Sequence, residues 1–210
     1  MCFAIIIPAL NEEKTIAKVV RTAQRYGTPV VIDDGSSDTT ANVSSKAGAV
    51  VLSQSATLGY DCAIGIGMKY AEENGFSFVA TMDADGEHDG NALAIFKSYL
   101  QDGASLVLGV RDHKPRIAEK IFSWWTSHRW GINDPLSGMK GYRMSLYAER
   151  GYFDRTDSIG TELMMYAVSR QHSFKQVPIK ITPRADQSRF GRRMIANYRI
   201  FRAMFLSFKC

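Results

Sequence analysis

The chain has 210 residues, 45% of them hydrophobic, and a formal net charge of +5. That length and apolar content, with no long Pro, Gly or Ser tract, describe one compact globular domain and exclude a chain dominated by disorder. No stretch approaches the roughly 18 consecutive apolar residues of a membrane span, and the scattered Cys2, Cys62 and Cys210 fit neither a disulfide framework nor a zinc site.

The chain passes from Met1 straight into Cys2 and the first apolar run, Phe3 to Ile7, with no basic leader, so a cytoplasmic location is expected. Similar short runs recur at Val30–Ile32, Ala49–Leu52, Phe76–Met82 and Leu106–Val110. Between them lie segments of helical periodicity at Glu12–Tyr26, Asp38–Lys46, Leu58–Glu73 and Ala92–Leu100. This alternation predicts an α/β fold with a mostly parallel, Rossmann-like central sheet flanked by helices. Ligands of such sheets bind beyond the carboxyl ends of the strands.

The residues at those ends carry the chemistry. Pro8-Ala9-Leu10-Asn11-Glu12-Glu13 leaves the first strand: Pro8 withdraws a donor, Asn11 is placed to cap a helix, and the glutamates suit its positive end. Asp33-Asp34-Gly35-Ser36-Ser37-Asp38-Thr39-Thr40 leaves the second, with an N-cap expected at Ser37 or Asp38. One carboxylate suffices for that turn, so the second invites a ligand such as a base amide or ribose hydroxyl. Gly59, Ala63, Gly67 and Ala71 recur every four residues and predict close packing of one helix face.

Asp83-Ala84-Asp85-Gly86-Glu87 follows the fourth run. In an extended turn alternate residues point the same way, so these three carboxylates are candidates to share one hard cation. His88 is the histidine near this turn, placed to reach a phosphate or to finish the loop. No nucleophile-elbow arrangement is present.

Further on, Arg111 ends the fifth strand, with Lys114 and Arg116 behind it, a cationic cluster suited to a phosphate. Asp134 precedes Pro135-Leu136-Ser137-Gly138; it reads equally as a general base and as a carboxylate capping the turn around Pro135. Glu162 opens a helix over Glu162–Val168.

Two aromatic segments are flanked by cations. Ile117, Ile121, Trp124, Trp125 and Trp130 lie near Lys120, His128 and Arg129, and Met194, Tyr198, Phe201, Phe205 and Phe208 near Arg192, Arg193, Arg199 and Arg202. Both read as amphipathic helices packed on the core. For the exposed C-terminal one, a seat in a membrane interface is an equal reading.

Taken together, these residues resemble glycosyltransferase family 2, in particular its polyprenyl-phosphate sugar synthase branch. The carriers are Pro-x-x-Asn-Glu at Pro8–Glu12, Asp-Asp-Gly-Ser-x-Asp-x-Thr at Asp33–Thr40, the Gly/Ala helix, Asp-Ala-Asp-Gly-x-His at Asp83–His88 and Asp134-Pro-Leu-Ser-Gly138, in family order. The resemblance implies a GT-A fold in a single domain spanning 1–210, with a nucleotide-sugar half (1–110), an acceptor half (111–190) and a basic amphipathic C-terminal helix (191–210). It implies Pro8, Leu10 and Glu12 at the nucleobase and Asp34 at base or ribose. Asp83, Ala84 and Asp85 would lie at the diphosphate, with Asp83, Asp85 and Glu87 holding Mg²⁺ or Mn²⁺.

In the same way, Arg184 and Arg189 sit in the late loop that covers the nucleotide, and Arg111 and Arg116 meet the acceptor phosphate. Leu10 stands where the family often has an aromatic residue, and Glu87 where it often has glutamine. The activity implied is metal-dependent, inverting transfer from a UDP- or GDP-sugar to polyprenyl phosphate at the cytoplasmic face of the membrane, with no nucleic-acid partner. Transfer to a hydroxyl of a cell-surface glycan or lipid-linked saccharide, using Asp134 as base, and a non-catalytic nucleotide-sugar-binding module are the alternatives.

Overall fold

The computed structural model of this chain describes residues 2–112, 116–182 and 200–205. Seven strands form one sheet in the order β3-β2-β1-β4-β6-β5-β7: β1 (Phe3–Ala9), β2 (Thr28–Asp33), β3 (Val50–Ser53), β4 (Phe78–Thr81), β5 (Leu106–Arg111), β6 (Lys140–Arg143) and β7 (Phe174–Ile179). The neighbouring pairs are parallel except those of β6, which runs antiparallel to both β4 and β5. The expected α/β architecture is therefore observed, and strands from both halves of the chain share one sheet.

β1 lies near the middle and is buried on both faces, as a continuous apolar run in a parallel sheet requires. Its alternate residues divide the core. Phe3, Ile5 and Ile7 face α1 (Ile16–Gln24) and α4 (Ala92–Gln101), whereas Ala4 and Ile6 face α3 (Tyr60–Glu73), with α6 (Met144–Arg150) and α7 (Glu162–Ser169) on the same side. The Gly/Ala stripe of α3 does what its spacing predicts: Ala63, Gly67 and Ala71 are buried. A Cβ on Gly67 would sit 2.5 Å from Ile6 Cγ2, so only hydrogen fits there.

Three local expectations are corrected. α1 begins at Ile16 rather than Glu12, because Asn11 takes a left-handed φ of 50° and turns its side chain to the next loop instead of capping the helix. Thr39, not Ser37 or Asp38, is the N-cap position of α2 (Thr40–Lys46), although an Asp38 oxygen accepts the Thr40 N–H at 2.9 Å. β6 and β7 escape the sequence pattern: β6 is four residues with a charge at each end, and β7 carries Pro178, which its place at the edge of the sheet tolerates.

α5 (Ile117–Trp130) also differs from the expected core helix. Ala118 and Phe122 pack on Ile200 and Ala203, but Ile117 and Trp124, 73% and 70% exposed, face outward with Ile121. Of the expected C-terminal helix, residues 200–205 are helical and the remainder lies outside the described residues. No helix among the described residues is long and apolar enough to cross a membrane.

Candidate functional site

The loops leaving β1 and β2 are laced together at their carboxyl ends. The Asn11 Oδ1 accepts the Ser37 N–H at 2.8 Å, the Asn11 N–H donates to Ser36 Oγ at 2.8 Å, and the Glu12 N–H donates to Thr40 Oγ1 at 2.7 Å. A Glu13 oxygen accepts the Thr39 N–H and hydroxyl at 3.1 and 2.7 Å. Pro8, Leu10 and Glu12 thus lie on a stiffened lip beside the Asp33-Asp34 turn.

Both aspartates of that turn are buried. Asp33 Oδ1 accepts the Ser36 N–H, closing a turn in which Gly35 has a φ of 78°. Asp34 uses its two oxygens on the Leu58 and Gly59 N–H groups, at 2.8 and 2.9 Å, fixing the entry to α3. Gly59 itself has a φ of 97°, a conformation that side chains disfavour. A carboxylate oxygen accepts more than one hydrogen bond, so Asp34 can anchor this loop and still meet a ligand.

The acidic turn follows β4. Asp85 Oδ1 accepts the Glu87 N–H at 3.0 Å across Gly86, whose φ is 77°. Ala84 is buried beneath them. Asp83 is about one-third exposed, with His88 Nε2 at 3.6 Å, and its charge is felt by the Tyr60 hydroxyl. Burial, followed by the charges of Asp83 and Asp61, pushes the Tyr60 hydroxyl well above its usual pKa and keeps it protonated. Among the described residues, no group of three or more His, Cys, Asp or Glu side chains forms a metal cage. The donor set does fit a hard cation such as Mg²⁺, which takes one or two carboxylates and completes its shell with water and substrate phosphate.

Because β6 runs antiparallel, its first residue lies at the edge where the parallel strands finish. Thr81 Oγ1 donates to the Gly138 carbonyl at 2.7 Å and accepts the Lys140 N–H at 3.1 Å, which seats the Ser137-Gly138 turn against β4. Gly138 lies so close to the Asp83 carboxylate that a Cβ there would occupy the same space.

Lys140, 3% exposed, is carried into the site by the same turn. Burial lowers its pKa to about 8, opposed by Asp134, Asp61 and Asp83. Asp61, at the start of α3, accepts the Ile159 and Gly160 N–H groups at 3.0 and 2.5 Å. Burial and the neighbouring Asp154 raise Asp61 to about 6.

On the far side, Arg111 grips Asp134. Its Nε and Nη2 donate to the two carboxylate oxygens at 2.7 and 3.0 Å, and the backbone N–H of Arg111 adds a third bond at 3.1 Å. Arg111 Nη2 also reaches Glu119 at 3.1 Å, and Arg116 Nη1 meets the other Glu119 oxygen at 2.7 Å. Burial works against the Arg111 charge, but its bonds to Asp134 outweigh it and hold the guanidinium protonated.

Most sequence candidates therefore collect along one edge: Pro8, Leu10, Glu12, Asp34, the Asp83–Glu87 turn, Arg111, Arg116 and Asp134. Lys114, Arg184 and Arg189 lie outside the described residues. Glu162 is committed elsewhere, to Arg150 Nη2 at 2.7 Å and to the Arg155 N–H at 2.8 Å. Tyr60 and Lys140 are not singled out by the sequence motifs; the signal for Lys140 is a lone charge inside Met139-Lys140-Gly141-Tyr142, directly after Ser-Gly.

Comparison with known proteins places this geometry. A dolichyl-phosphate hexose transferase of Haloferax volcanii is 27% identical over 199 residues, covering 89% of this chain and 85% of that one. A polyprenol monophosphomannose synthase of Mycolicibacterium smegmatis is 26% identical over 206 residues, covering 86% and 77%. In fold, the chain matches glucosyl-3-phosphoglycerate synthase of Mycobacterium tuberculosis, crystallised with Mn²⁺, UDP and phosphoglyceric acid, with a TM-score of 0.73 at 18% identity, covering 98% of this chain and 78% of that one. The fold is thus of the GT-A type. The family model for glycosyl transferase family 2 matches residues 4–177, from the first strand into the last, and the chain belongs to that family of glycosyltransferases.

Proposed function

We propose that this enzyme transfers a sugar from a nucleoside diphosphate sugar, with UDP or GDP as the nucleotide, to polyprenyl phosphate, by one inverting displacement that depends on Mg²⁺ or Mn²⁺. The observation that carries the donor end is the Asp83-Ala84-Asp85 turn at the carboxyl end of β4, facing the lip formed by Pro8, Leu10 and Glu12 and the buried Asp34. Asp83 and Asp85, with Glu87 beside them, would hold the cation, whose charge supplies the leaving diphosphate with electrostatic stabilisation. A protein of the same fold crystallised with Mn²⁺ and UDP supports that choice. Arg184 and Arg189 would cover the nucleotide.

The acceptor end rests on Asp134. A hydroxyl acceptor needs a carboxylate to take its proton, and taking it would cost Asp134 the ion pair that both its oxygens form with Arg111. A phosphate acceptor is already anionic and needs no base, so Asp134 works here as the anchor that sets the Arg111 guanidinium. Arg111 and Arg116 then present their remaining donors to the acceptor phosphate. The relatives named for dolichyl phosphate and polyprenol support this reading.

A peripheral seat on the cytoplasmic face of the membrane follows from the same acceptor. Exposed Ile117, Ile121 and Trp124 on α5 stand near exposed Lys120 and Arg129, and exposed Phe201 and Phe205 flank Arg202.

The test is Asp85→Ala, assayed for transfer to a short polyprenyl phosphate and for Mn²⁺-dependent nucleotide binding. Both should fall sharply. Undiminished transfer overturns the assignment, and transfer to glycan hydroxyls with indifference to lipid phosphate overturns the acceptor.

A further inference from the structure

Among the described residues along this edge, the carboxylates of Asp34, Asp83, Asp85, Glu87, Glu119 and Asp134 outnumber the arginines, Arg111 and Arg116. Arg111 is paired with both Asp134 and Glu119, and Arg116 with Glu119. A phosphorylated substrate adds further negative charge in the same space, which a cation with no carboxylate bonded to it is suited to meet.

Lys140 is that cation among the described residues at these strand ends. Its side chain is 3% exposed, yet its ammonium forms no ion pair or hydrogen bond with a described residue. It feels Asp134, Asp61 and Asp83 through space. With so little of the residue open to water, its three donors have few solvent partners and favour an anionic acceptor. The position is also fixed. The Lys140 N–H is bound to Thr81 Oγ1 and β6 pairs on both sides, which holds the backbone, and Nζ lies beside Gly160. Its Coulomb partners include Asp83, on the donor-metal side, and Asp134, on the acceptor side.

We propose that Lys140 is a substrate-binding residue whose ammonium donates hydrogen bonds to a phosphoryl oxygen of the bound substrate. This rests on the transferase reading above. The oxygen belongs to the donor diphosphate or to the acceptor phosphate; the chemistry recognised is the same, and the two sources separate by experiment.

The variants are Lys140→Met, which keeps the length of the side chain and removes the charge, and Lys140→Arg, which restores a charge. Calorimetry would measure the binding of UDP and GDP with Mn²⁺, of uridine and guanosine, and of farnesyl phosphate as a lipid monophosphate. The expected result for Lys140→Met is a loss of roughly ten- to a hundredfold in affinity for a phosphorylated ligand. Nucleoside affinity should stay unchanged, and Lys140→Arg should recover part of the loss.

A loss confined to UDP or GDP assigns the oxygen to the donor, and a loss confined to farnesyl phosphate assigns it to the acceptor. Thermal unfolding accompanies each measurement. A Met variant that folds, shifts its Tm and binds every phosphate like wild type makes Lys140 an internal counter-ion only and overturns the inference. Wild-type protein that binds no nucleotide at all overturns the transferase reading itself, a failure visible before any variant is made.

Discussion

The Arg111 guanidinium and the Asp134 carboxylate form a two-point pair, Nε to Oδ2 at 2.7 Å and Nη2 to Oδ1 at 3.0 Å, with Asp134 only 1% exposed. Removing one member of such a pair strands the other in a poor dielectric, a cost of about 3 kcal/mol or more. Arg111→Met and Asp134→Ala should each destabilise the protein on that scale in urea unfolding. The double variant should cost clearly less than the two added together. Additive losses would mean that the pair contributes nothing as a unit.

Gly138 matters for what it leaves out. A Cβ there would coincide with the Asp83 carboxylate, and because Asp83 is partly exposed, the carboxylate can swing away without disturbing the core. Gly138→Ala should therefore change Tm little, by about 1 kcal/mol or less in stability, while weakening Mn²⁺-dependent nucleotide binding by roughly tenfold or more. Calorimetry with UDP and GDP checks it. Unchanged affinity would remove Asp83 from the binding machinery.

The parts of this molecule that are legible in the sequence are those where local chemistry and global fold agree. The first five strands and the helices between them repeat one apolar rhythm, and Asp34 and Asp83 stand at strand ends where a parallel sheet binds ligands. β6 is hidden because its identity comes from partners: Lys140, Gly141, Tyr142 and Arg143 have no strand pattern until β4 and β5 flank them. Lys140 is hidden with it, since an antiparallel insertion alone brings its first residue to the site. The pairing of Arg111 with Asp134 spans 23 residues of chain and follows from neither segment. Asn11 reads as a helix cap because its neighbours are helix-favouring, and its real partner is the loop after β2.

The α3 glycines allow a test in which two effects compete. Replacing a helical glycine by alanine gains about 1 kcal/mol from backbone entropy where space permits. At Gly65 nothing beyond the local helix backbone lies within 4 Å of where a Cβ would stand, so Gly65→Ala should stabilise. At Gly67 the new methyl meets Ile6 Cγ2 at 2.5 Å and two further Ile6 carbons at 3.0 Å, all in a fully buried side chain. Overpacking of about 1–3 kcal/mol then exceeds the helical gain, and Gly67→Ala should destabilise. Opposite signs in thermal unfolding support the close contact of α3 with β1; equal signs would refute it.

Asp61 links α3 to the 154–161 loop, and its raised pKa makes that link pH-dependent. Burial is the largest cause, the neighbouring Asp154 adds to it, and the Ile159 and Gly160 N–H groups and Lys140 oppose it, leaving Asp61 at about 6. An unfolded aspartate titrates near 3.9, so between about pH 4 and 6 the folded chain keeps a proton that the unfolded chain has released. The contribution of Asp61 to stability is then fully present below about pH 4 and is lost as pH rises through about 6. Asp154 shifts in the same direction, while Glu162, held by Arg155, Thr156 and Arg150, shifts oppositely, so the raw pH curve mixes several groups. Asp61→Asn isolates one of them: the Tm of wild type minus that of the variant should fall between about pH 4 and 6 and level off above. Asn offers one acceptor oxygen where Asp61 uses two, which sets the offset of that curve but not its slope. A difference that is flat across this range would mean that Asp61 titrates at its ordinary value and that the 159–160 backbone is held by its hydrogen bonds alone.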